Sequence, residues 1–286
     1  MIRSERAHLH LAALSHPGAK GKNNEDRYAV SSYFLSQKDE TPVLFAVIAD
    51  GIGGHRAGEV AAELTVDHIS HAIAKSNARH PLKIMQRAIH AASEAIAAHG
   101  GTNQDQHGMG ATCACVWVIG DRLFTASVGD TRIYFVRDRK IQQLTVDHTW
   151  VQEAIDKGIL NSEKARDHPN AHIIRRHLGS VPPPEVDTRM RLSQDENDLL
   201  AHSNQGMVLR SGDKLLMCTD GLTDLVRDDE IFRIIHSTKD LKKTAEGLVD
   251  LANRRGGHDN ITVILLAMPE PEEGKLSHWW DRLRLP

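Results

Sequence analysis

Residues 42–51 read Pro42-Val43-Leu44-Phe45-Ala46-Val47-Ile48-Ala49-Asp50-Gly51. The run from 43 to 49 is apolar throughout, rich in Val and Ile, and stops at an Asp-Gly pair. A short continuous apolar run bounded by turn residues reads as a strand buried on both faces. A strand covered on both sides needs layers above and below it, so the elements on either side must supply them.

Downstream, residues 57–76 read as a helix with small residues at its start and a polar face. A second helix starts near Pro81, which is tolerated in a first turn. Leu82, Met85, Ile89, Ala92 and Ile96 recur at helical spacing, and Gly100-Gly101 is expected to end it. Strand signals follow at 111–119 and 122–128, joined by Gly120-Asp121. A second hairpin spans 131–136 and 140–144. Residues 147–180 begin helically and become irregular. Pro182, Pro183 and Pro184 then exclude a helix interior or a central strand. A strand at 214–219 ends in Asp220-Gly221, helices follow near 228–237 and 240–254, and the last strand is 261–268. This order lacks the regular alternation of a parallel α/β fold. It predicts an α+β layered domain of antiparallel sheets with helices packed outside.

The chain has 286 residues, and no linker-like stretch divides it, so one large domain with a short tail is expected. The formal net charge of −3 argues against a nucleic-acid surface, which carries a basic excess. Aromatic residues make up only 4%, too few for a base-stacking platform. Cys113, Cys115 and Cys218 lie in apolar strand-like segments and read as core residues of a protein from a reducing compartment. No second ligand pair accompanies Cys113 and Cys115 to build a zinc site. The N-terminal apolar stretch 11–14 is too short for a signal-peptide core, and the runs 43–49 and 261–268 are too short to span a bilayer. A soluble, cytoplasmic protein without integral membrane association is expected.

The informative pattern is where the carboxylates fall. Asp50, Asp130 and Asp220 each follow a strand, Asp259 precedes the last one, and Asp26 ends Asn23-Asn24-Glu25-Asp26. Any single Asp-Gly is a turn. Several strand ends on one side of a sheet, however, would gather these carboxylates at one rim. Bare, they would repel and some would take up protons. Hard divalent cations such as Mg²⁺ and Mn²⁺ resolve that conflict with oxygen ligands. At Gly51 the missing side chain lets the backbone carbonyl approach such an ion, and Gly53-Gly54 leave room for a phosphate.

Seven motifs occur in order: Asn24-Glu25-Asp26, Asp50-Gly51-Ile52-Gly53-Gly54-His55, Gly110-Ala111-Thr112, Val128-Gly129-Asp130-Thr131-Arg132, Asp147-His148, Thr219-Asp220-Gly221-Leu222-Thr223-Asp224 and Asp259-Asn260-Ile261-Thr262-Val263. Each alone is weak, but the ordered set over residues 15–268 resembles the PP2C (PPM) family of metal-dependent serine/threonine protein phosphatases, especially its compact bacterial members.

The resemblance implies a four-layer αββα sandwich: two antiparallel sheets, helices outside, and a metal site in the cleft between the sheets. It implies a domain over 1–268 with a flap at about 148–180; the stretch at about 181–210, with its Pro-rich start and mixed charges, exceeds the family's minimal pattern and reads as a polar surface excursion, and the tail at 269–286 is extra as well. The resemblance also implies two Mn²⁺ or Mg²⁺ ions and direct attack of a metal-bridging water or hydroxide on phosphoserine or phosphothreonine. Carried over, Asp50 bridges the metals and Asp220 and Asp259 hold the first. The Gly51 carbonyl helps hold the second, with Glu25 or Asp26 reaching it directly or through water. Asp130, with Asp220, matches the ligands of a third, weaker ion, and Asn260 orients Asp259. The implied partners are phosphorylated proteins and an opposing Ser/Thr kinase.

The chain departs from the family at two places. Many members carry a phosphate-gripping Arg where this chain has Gly21, and the flanking Lys20 and Lys22 are the candidate substitutes. As point charges they would grip less well than a guanidinium fork. Ile52 stands where eukaryotic members often carry a proton-donating His, leaving metal-bound water or a neighbour such as His55 for that task. Arg175-Arg176 near the end of the flap reads as a solvated charge pair. The tail, with Trp279, Trp280, Leu283 and Leu285 among arginines, is suited to docking a partner, touching a membrane surface, or packing back on the domain. Two other functions are disfavoured by the residues present. A catalytically weak PP2C-like binding module should have lost one of Asp50, Asp220 and Asp259, and all three are present. A dinucleotide fingerprint counted from Gly51 fails at Arg56.

Overall fold

The computed structural model describes residues 1–20, 23–53, 56–166 and 168–270. Its first half contains β1 (Ile2–Arg3), β2 (His10–His16), β3 (Arg27–Phe34), β4 (Pro42–Ala49), β5 (Gly51–Ile52), α1 (Arg56–Lys75), α2 (Pro81–Thr102), β6 (Gly110–Ala111), β7 (Cys113–Ile119), β8 (Arg122–Val128), β9 (Arg132–Arg137) and β10 (Lys140–Gln143). Its second half contains α3 (Trp150–Asp156), α4 (Ser162–Arg166), α5 (Asp198–Ser203), β11 (Met207–Val208), β12 (Lys214–Cys218), α6 (Asp220–Thr223), α7 (Asp228–Ser237), α8 (Leu241–Arg254) and β13 (Ile261–Ala267).

Two antiparallel sheets form the centre. One has the order β1-β3-β4-β7-β8-β11 and the other β10-β9-β12-β13-β2. Strand periodicity explains the layering, because successive side chains point to opposite faces. In β4, Val43, Phe45, Val47 and Ala49 pack with Ile69, Ile73, Met85 and Ile89 of α1 and α2. Leu44, Ala46 and Ile48 face the second sheet and meet residues such as Met217, Ile264 and Leu266. On the far side, Leu216, Val263 and Leu265 pack with Ile231, Ile235 and Leu248 of α7 and α8. The result is the expected four layers. Each large side chain fully buried in these seams, such as Trp117 or Phe45, contributes about 1.5–3 kcal/mol.

Several elements differ from the sequence reading. β2 is a strand that the sequence reading did not include, its short apolar stretch 11–14 having been weighed only against a signal-peptide core. It pairs with β13 from Ile261↔His16 to Ala267↔His10. α2 runs through Gly100 and Gly101 to Thr102. The stretch 181–210, read as a surface excursion, is tied into the body. Met190 is fully buried, Asp187 and Ser127 exchange backbone hydrogen bonds, and β11 adds an edge to the first sheet by pairing with β8. The three cysteines are free and buried, with Cys113 and Cys115 on the helix-facing side of β7. Among the described residues no helix is long and apolar enough to cross a membrane. The tail beyond residue 270 lies outside the described residues.

Candidate metal centre and active site

Strand register brings the aspartates together. In the first sheet Arg27 pairs with Ala49 and Cys113 with Val128, so residues 26, 50 and 112 and the turn at 129–130 share one rim. In the second sheet Cys218 pairs with both Val263 and Arg132, and Ile261 with His16. The chain entering α6 and the turn before β13 therefore lie at one rim as well. The two rims meet at Asp26: Thr219 and Thr262 of the second sheet both donate to its Oδ2, at 2.9 and 2.6 Å.

These carboxyls are held in an environment that disfavours bare charge. Burial pushes Asp26 up to about 7 against the hydroxyl donors, and the charge of Asp259 adds to the rise. Asp50 is raised well above the ordinary carboxylate range, by burial first and then by the charges of Asp26, Asp220, Asp130 and Asp259. Asp220 is raised likewise, by burial and then by Asp130, Asp224, Asp259 and Asp26. Burial also takes Asp130 to about 7, with Asp147 and Asp224 adding and Arg132 opposing. Asp26 Oδ1 and Asp220 Oδ1 are buried with no hydrogen-bond partner among the described residues. Orphaned acceptors of this kind cost free energy unless something outside the protein satisfies them. An all-oxygen donor set with unused lone pairs fits Mg²⁺ or Mn²⁺.

The supporting shell is largely threonine, asparagine and glycine. Thr112 accepts the backbone N–H of Asp50 through Oγ1 at 3.1 Å and is 2.6 Å from Thr131 Oγ1. Asn260 orients Asp259 with its backbone N–H, which donates to Asp259 Oδ1 at 2.8 Å. Its side chain does a second job: Oδ1 accepts the Glu25 N–H at 2.7 Å, and Nδ2 donates to the carbonyls of Pro17 and Asn23. Glu25 and Asp26 are thus pinned to the segment carrying Asp259. Gly51 is packed against Gly58 of α1. A Cβ on Gly51 would lie 2.1 Å from the Gly58 carbonyl oxygen, and one on Gly58 would lie 2.0 Å from Glu25 Oε2. Gly58 escaped the sequence reading because a glycine inside a helical segment carries no local signal of what approaches it.

Residues 148–180 form a small subdomain beside the rim. Trp150 N–H donates to the Ile173 carbonyl and Arg175 N–H to the His148 carbonyl, closing its base. Arg166 reaches the carbonyls of Thr223 and Asp224 at 2.7 and 3.2 Å. A cleft of about 560 Å³ lies between this flap and the rim, lined by Gln152, Arg166 and His172 on one side and Asp130, Asp220 and Arg227 on the other. Among the described residues, the ligand atoms lying mutually within 4.8 Å are those of His172, Asp220 and Asp224. His172 lies in none of the seven motifs, and Asp224 ends the Thr219–Asp224 motif without a ligand role implied for it. Lys20 is exposed, while Lys22, Gly21 and His55 lie outside the described residues. Arg175 and Arg176 face Glu153 and Glu185 at 3.5 and 3.8 Å.

The sequence model of the Protein phosphatase 2C family matches residues 15–252. The serine/threonine phosphatase Stp of Listeria monocytogenes is 31% identical, covering 93% of this chain and 99% of its own length. The serine/threonine protein phosphatase PstP of Mycobacterium tuberculosis is 32% identical over 93% of this chain, which spans 46% of that protein. The solved catalytic domain of PstP in complex with two manganese ions superposes with a TM-score of 0.73 at 32% identity, covering 91% of this chain and 97% of that one.

Proposed function

Because the chain belongs to the Protein phosphatase 2C family, we propose that its aspartate rim is the metal centre of a protein serine/threonine phosphatase. The observation that carries this reading is the set of crowded, mutually repelling carboxyls, Asp26 and Asp130 buried, Asp50 and Asp220 half-buried and Asp259 exposed at the edge, with orphaned oxygens on Asp26 and Asp220.

Asp50 would be shared between two divalent cations, Asp220 and Asp259 would complete one, and the Gly51 carbonyl with Glu25 or Asp26 would complete the other. Bound there, two Mn²⁺ or Mg²⁺ ions supply an activated water and neutralise charge on the phosphoryl group. Asp130 with Asp220 is the proposed holder of a third, weaker ion. The chain's own residues do the positioning. Asn260 holds Glu25 against the segment carrying Asp259, and Thr219 and Thr262 fix the orientation of Asp26. The cleft beside the flap accommodates the peptide around a phosphorylated residue, with Arg166 and Arg227 on its walls. Lys20, exposed on the loop before Glu25, and Lys22 are the proposed phosphate contacts.

Residues 1–268 form the proposed phosphatase domain. The proposed substrates are phosphoserine and phosphothreonine proteins of the cytoplasm, opposed by a Ser/Thr kinase, and the tail 269–286 is a proposed docking element. Hydrolysis of a phosphothreonine peptide with Mn²⁺, with EDTA, and by Asp220→Asn tests the core of this reading. Turnover is expected only for the unaltered chain with Mn²⁺. Retained turnover in a folded, contaminant-free Asp220→Asn sample would overturn it. Absence of turnover despite bound cations would leave the binding-module alternative in the lead.

A further inference from the structure

The strands that bring aspartates to one end of the second sheet bring a basic set of residues to the other. Lys214 opens β12 and pairs with Ala267 at the end of β13, and Ala267 pairs with His10 at the start of β2. The whole of β13, roughly 20 Å at about 3.3 Å per residue, separates this end from the metal rim. Here, between the sheet and the turn joining α7 to α8, lies a cavity of about 600 Å³. His10, Lys214, His236 and Lys239 stand on its walls, Leu241 and Met268 form its apolar part, and Glu270 lines it as well.

Cations outnumber anions in this cavity. Glu270 is the one acid among the described residues that line it, and Lys239 Nζ already donates to its Oε2 at 2.8 Å. Lys214 Nζ donates to the Ile235 carbonyl at 3.0 Å, which uses one of its three N–H groups, and the others meet no acceptor among the described residues. Burial holds the pKa of Lys214 below the ordinary lysine value, with Glu270 opposing the shift and Lys239 adding to it. A further carboxylate would therefore favour its charged form.

The chain itself delivers such carboxylates. Gly212 N–H donates to the Met268 carbonyl at 3.2 Å and Ser211 Oγ to the Pro269 carbonyl at 2.9 Å, so the chain is fastened up to the edge of the cavity. The sequence then continues Glu270-Pro271-Glu272-Glu273-Gly274-Lys275. Two residues of extended chain cover at most about 7 Å, which keeps Glu272 and Glu273 beside the basic walls. We infer that the cavity is the seat of this chain's own tail, in which Glu272 and Glu273 pair with Lys214 and the neighbouring basic groups and extend the Glu270–Lys239 contact. A single exposed ion pair contributes little. Several pairs on a tethered segment act together, because the tether already supplies a high effective concentration. The seat is independent of the metal-centre reading, and it makes the tail leave the domain at the end opposite the rim.

Carbodiimide coupling of the full chain tests the seat, since it joins a carboxylate to an amine in contact with loss of water. Mass spectrometry of tryptic peptides then identifies the joined residues, with Glu270–Lys239 as the internal control. Lys214 is expected to be joined to Glu272 or Glu273 within the monomer. The yield should fall several-fold in about 1 M salt, where charges are screened beyond ~3 Å. Brief trypsin treatment of the uncoupled protein gives a second reading. The double variant Glu272→Gln, Glu273→Gln and the single variant Lys214→Gln should each be cut after Lys275 several-fold faster than the unaltered chain, with cleavage after the exposed Lys38 unchanged. The two glutamates lie beyond the described core, so their replacement threatens no core contact. Coupling of Glu270 to Lys239 without any Lys214 product, or unchanged cleavage after Lys275 in both variants, would overturn the seat. A Lys214 product confined to covalent dimers would overturn it in favour of the tail of a second copy.

Discussion

Thr262 Oγ1 donates to Asp26 Oδ2 at 2.6 Å, joining the last strand of the second sheet to the residue that opens β3 of the first. The bond is the end of a relay. Asn24 Nδ2 donates to Ser15 Oγ at 2.8 Å, and Ser15 Oγ, 2.7 Å from Thr262 Oγ1, donates to it, since the Thr262 hydroxyl hydrogen is committed to Asp26. Thr219 supplies a second hydroxyl to the same carboxylate oxygen. One oxygen of Asp26 is therefore fully occupied and the other is left over, and this asymmetry directs Oδ1 toward a ligand.

Replacing Thr262 by Val keeps the shape and removes the shorter of the two donors. Hydrogen bonds to charged groups contribute about 1.5–3 kcal/mol. We expect Thr262→Val to weaken Mn²⁺ binding roughly tenfold, in line with about 1.4 kcal/mol per factor of ten, and to leave the fold intact. Calorimetric titration measures the first, and thermal unfolding in EDTA the second. Unchanged Mn²⁺ affinity would show that Asp26 stands apart from the cations.

The raised carboxyls fix the direction of the pH response. Asp26 and Asp130 release their protons near 7 in the metal-free fold but near 3.8 as ordinary aspartates. A folded value above the unfolded one means that the stabilising contribution is present at low pH and disappears as pH rises through about 7. The metal-free protein should therefore melt at a lower temperature at pH 8 than at pH 5.5, by on the order of 5 °C. Mn²⁺ should reverse the order, because cations compete with those protons, and its affinity should climb between pH 5.5 and 8. Melting curves at both pH values, with Mn²⁺ and with EDTA, read out all of this. A metal-free melting temperature that rises with pH would contradict the assignment.

Gly58 allows a sharper test of the rim's backbone. In an exposed helix interior, Gly→Ala stabilises by about 1 kcal/mol. Here the added methyl would lie 2.0 Å from Glu25 Oε2 and 2.8 Å from the Gly51 carbonyl oxygen. Overpacking of this kind costs about 1–3 kcal/mol. Gly58→Ala should thus be destabilising in urea and should lose most phosphatase turnover by displacing the Gly51 carbonyl and Glu25 together. A stabilised, fully active Gly58→Ala protein would show that this contact is dispensable.

The residues legible in the sequence were those whose signal is local. Asp50, Asp130, Asp220 and Asp259 each adjoin a strand that its own apolar run announces, and register then gathers them. What stayed hidden depends on distance along the chain. Asp26 meets Thr219 and Thr262 across 193 and 236 positions, and nothing near any of the three predicts it. β2 was missed because an edge strand is only half-buried. Its His10-Leu11-Ala12-Ala13-Leu14-Ser15-His16 looks like a loop until β13 lies beside it. The stretch 181–210 looks peripheral in sequence because its anchors give weak signals: Met190 stands alone between Arg189 and Arg191, and Leu209 ends an apolar run of only three residues. His172 had no motif to mark it, and its relation to Asp224 comes from the fold of the flap.

His148 links that stretch to the rim, and its two nitrogens do different work. Gly129 N–H donates to Nδ1 at 2.9 Å, so the ring proton sits on Nε2 and donates to Asp187 Oδ2 at 3.2 Å. Asp187 is held in turn by Arg189 through Nε and Nη2 at 2.9 and 2.6 Å. Gly129 immediately precedes Asp130, and its φ of +100° admits no ordinary side chain. The imidazole therefore fixes a turn that only glycine readily adopts and that carries a proposed metal ligand. Asn places an acceptor near the position of Nδ1, whereas Gln reaches toward Nε2, so the two substitutions separate the roles. His148→Asn should keep the Asp130 turn and most Mn²⁺ affinity while losing about 1–3 kcal/mol of stability from the abandoned Asp187 contact. His148→Gln should keep the Asp187 contact and bind its weakest Mn²⁺ several-fold less well, because Gly129 N–H is then buried without an acceptor. Urea denaturation and Mn²⁺ titration of the pair decide the matter: equal Mn²⁺ affinities in the two variants would mean that the turn holds Asp130 without help from His148.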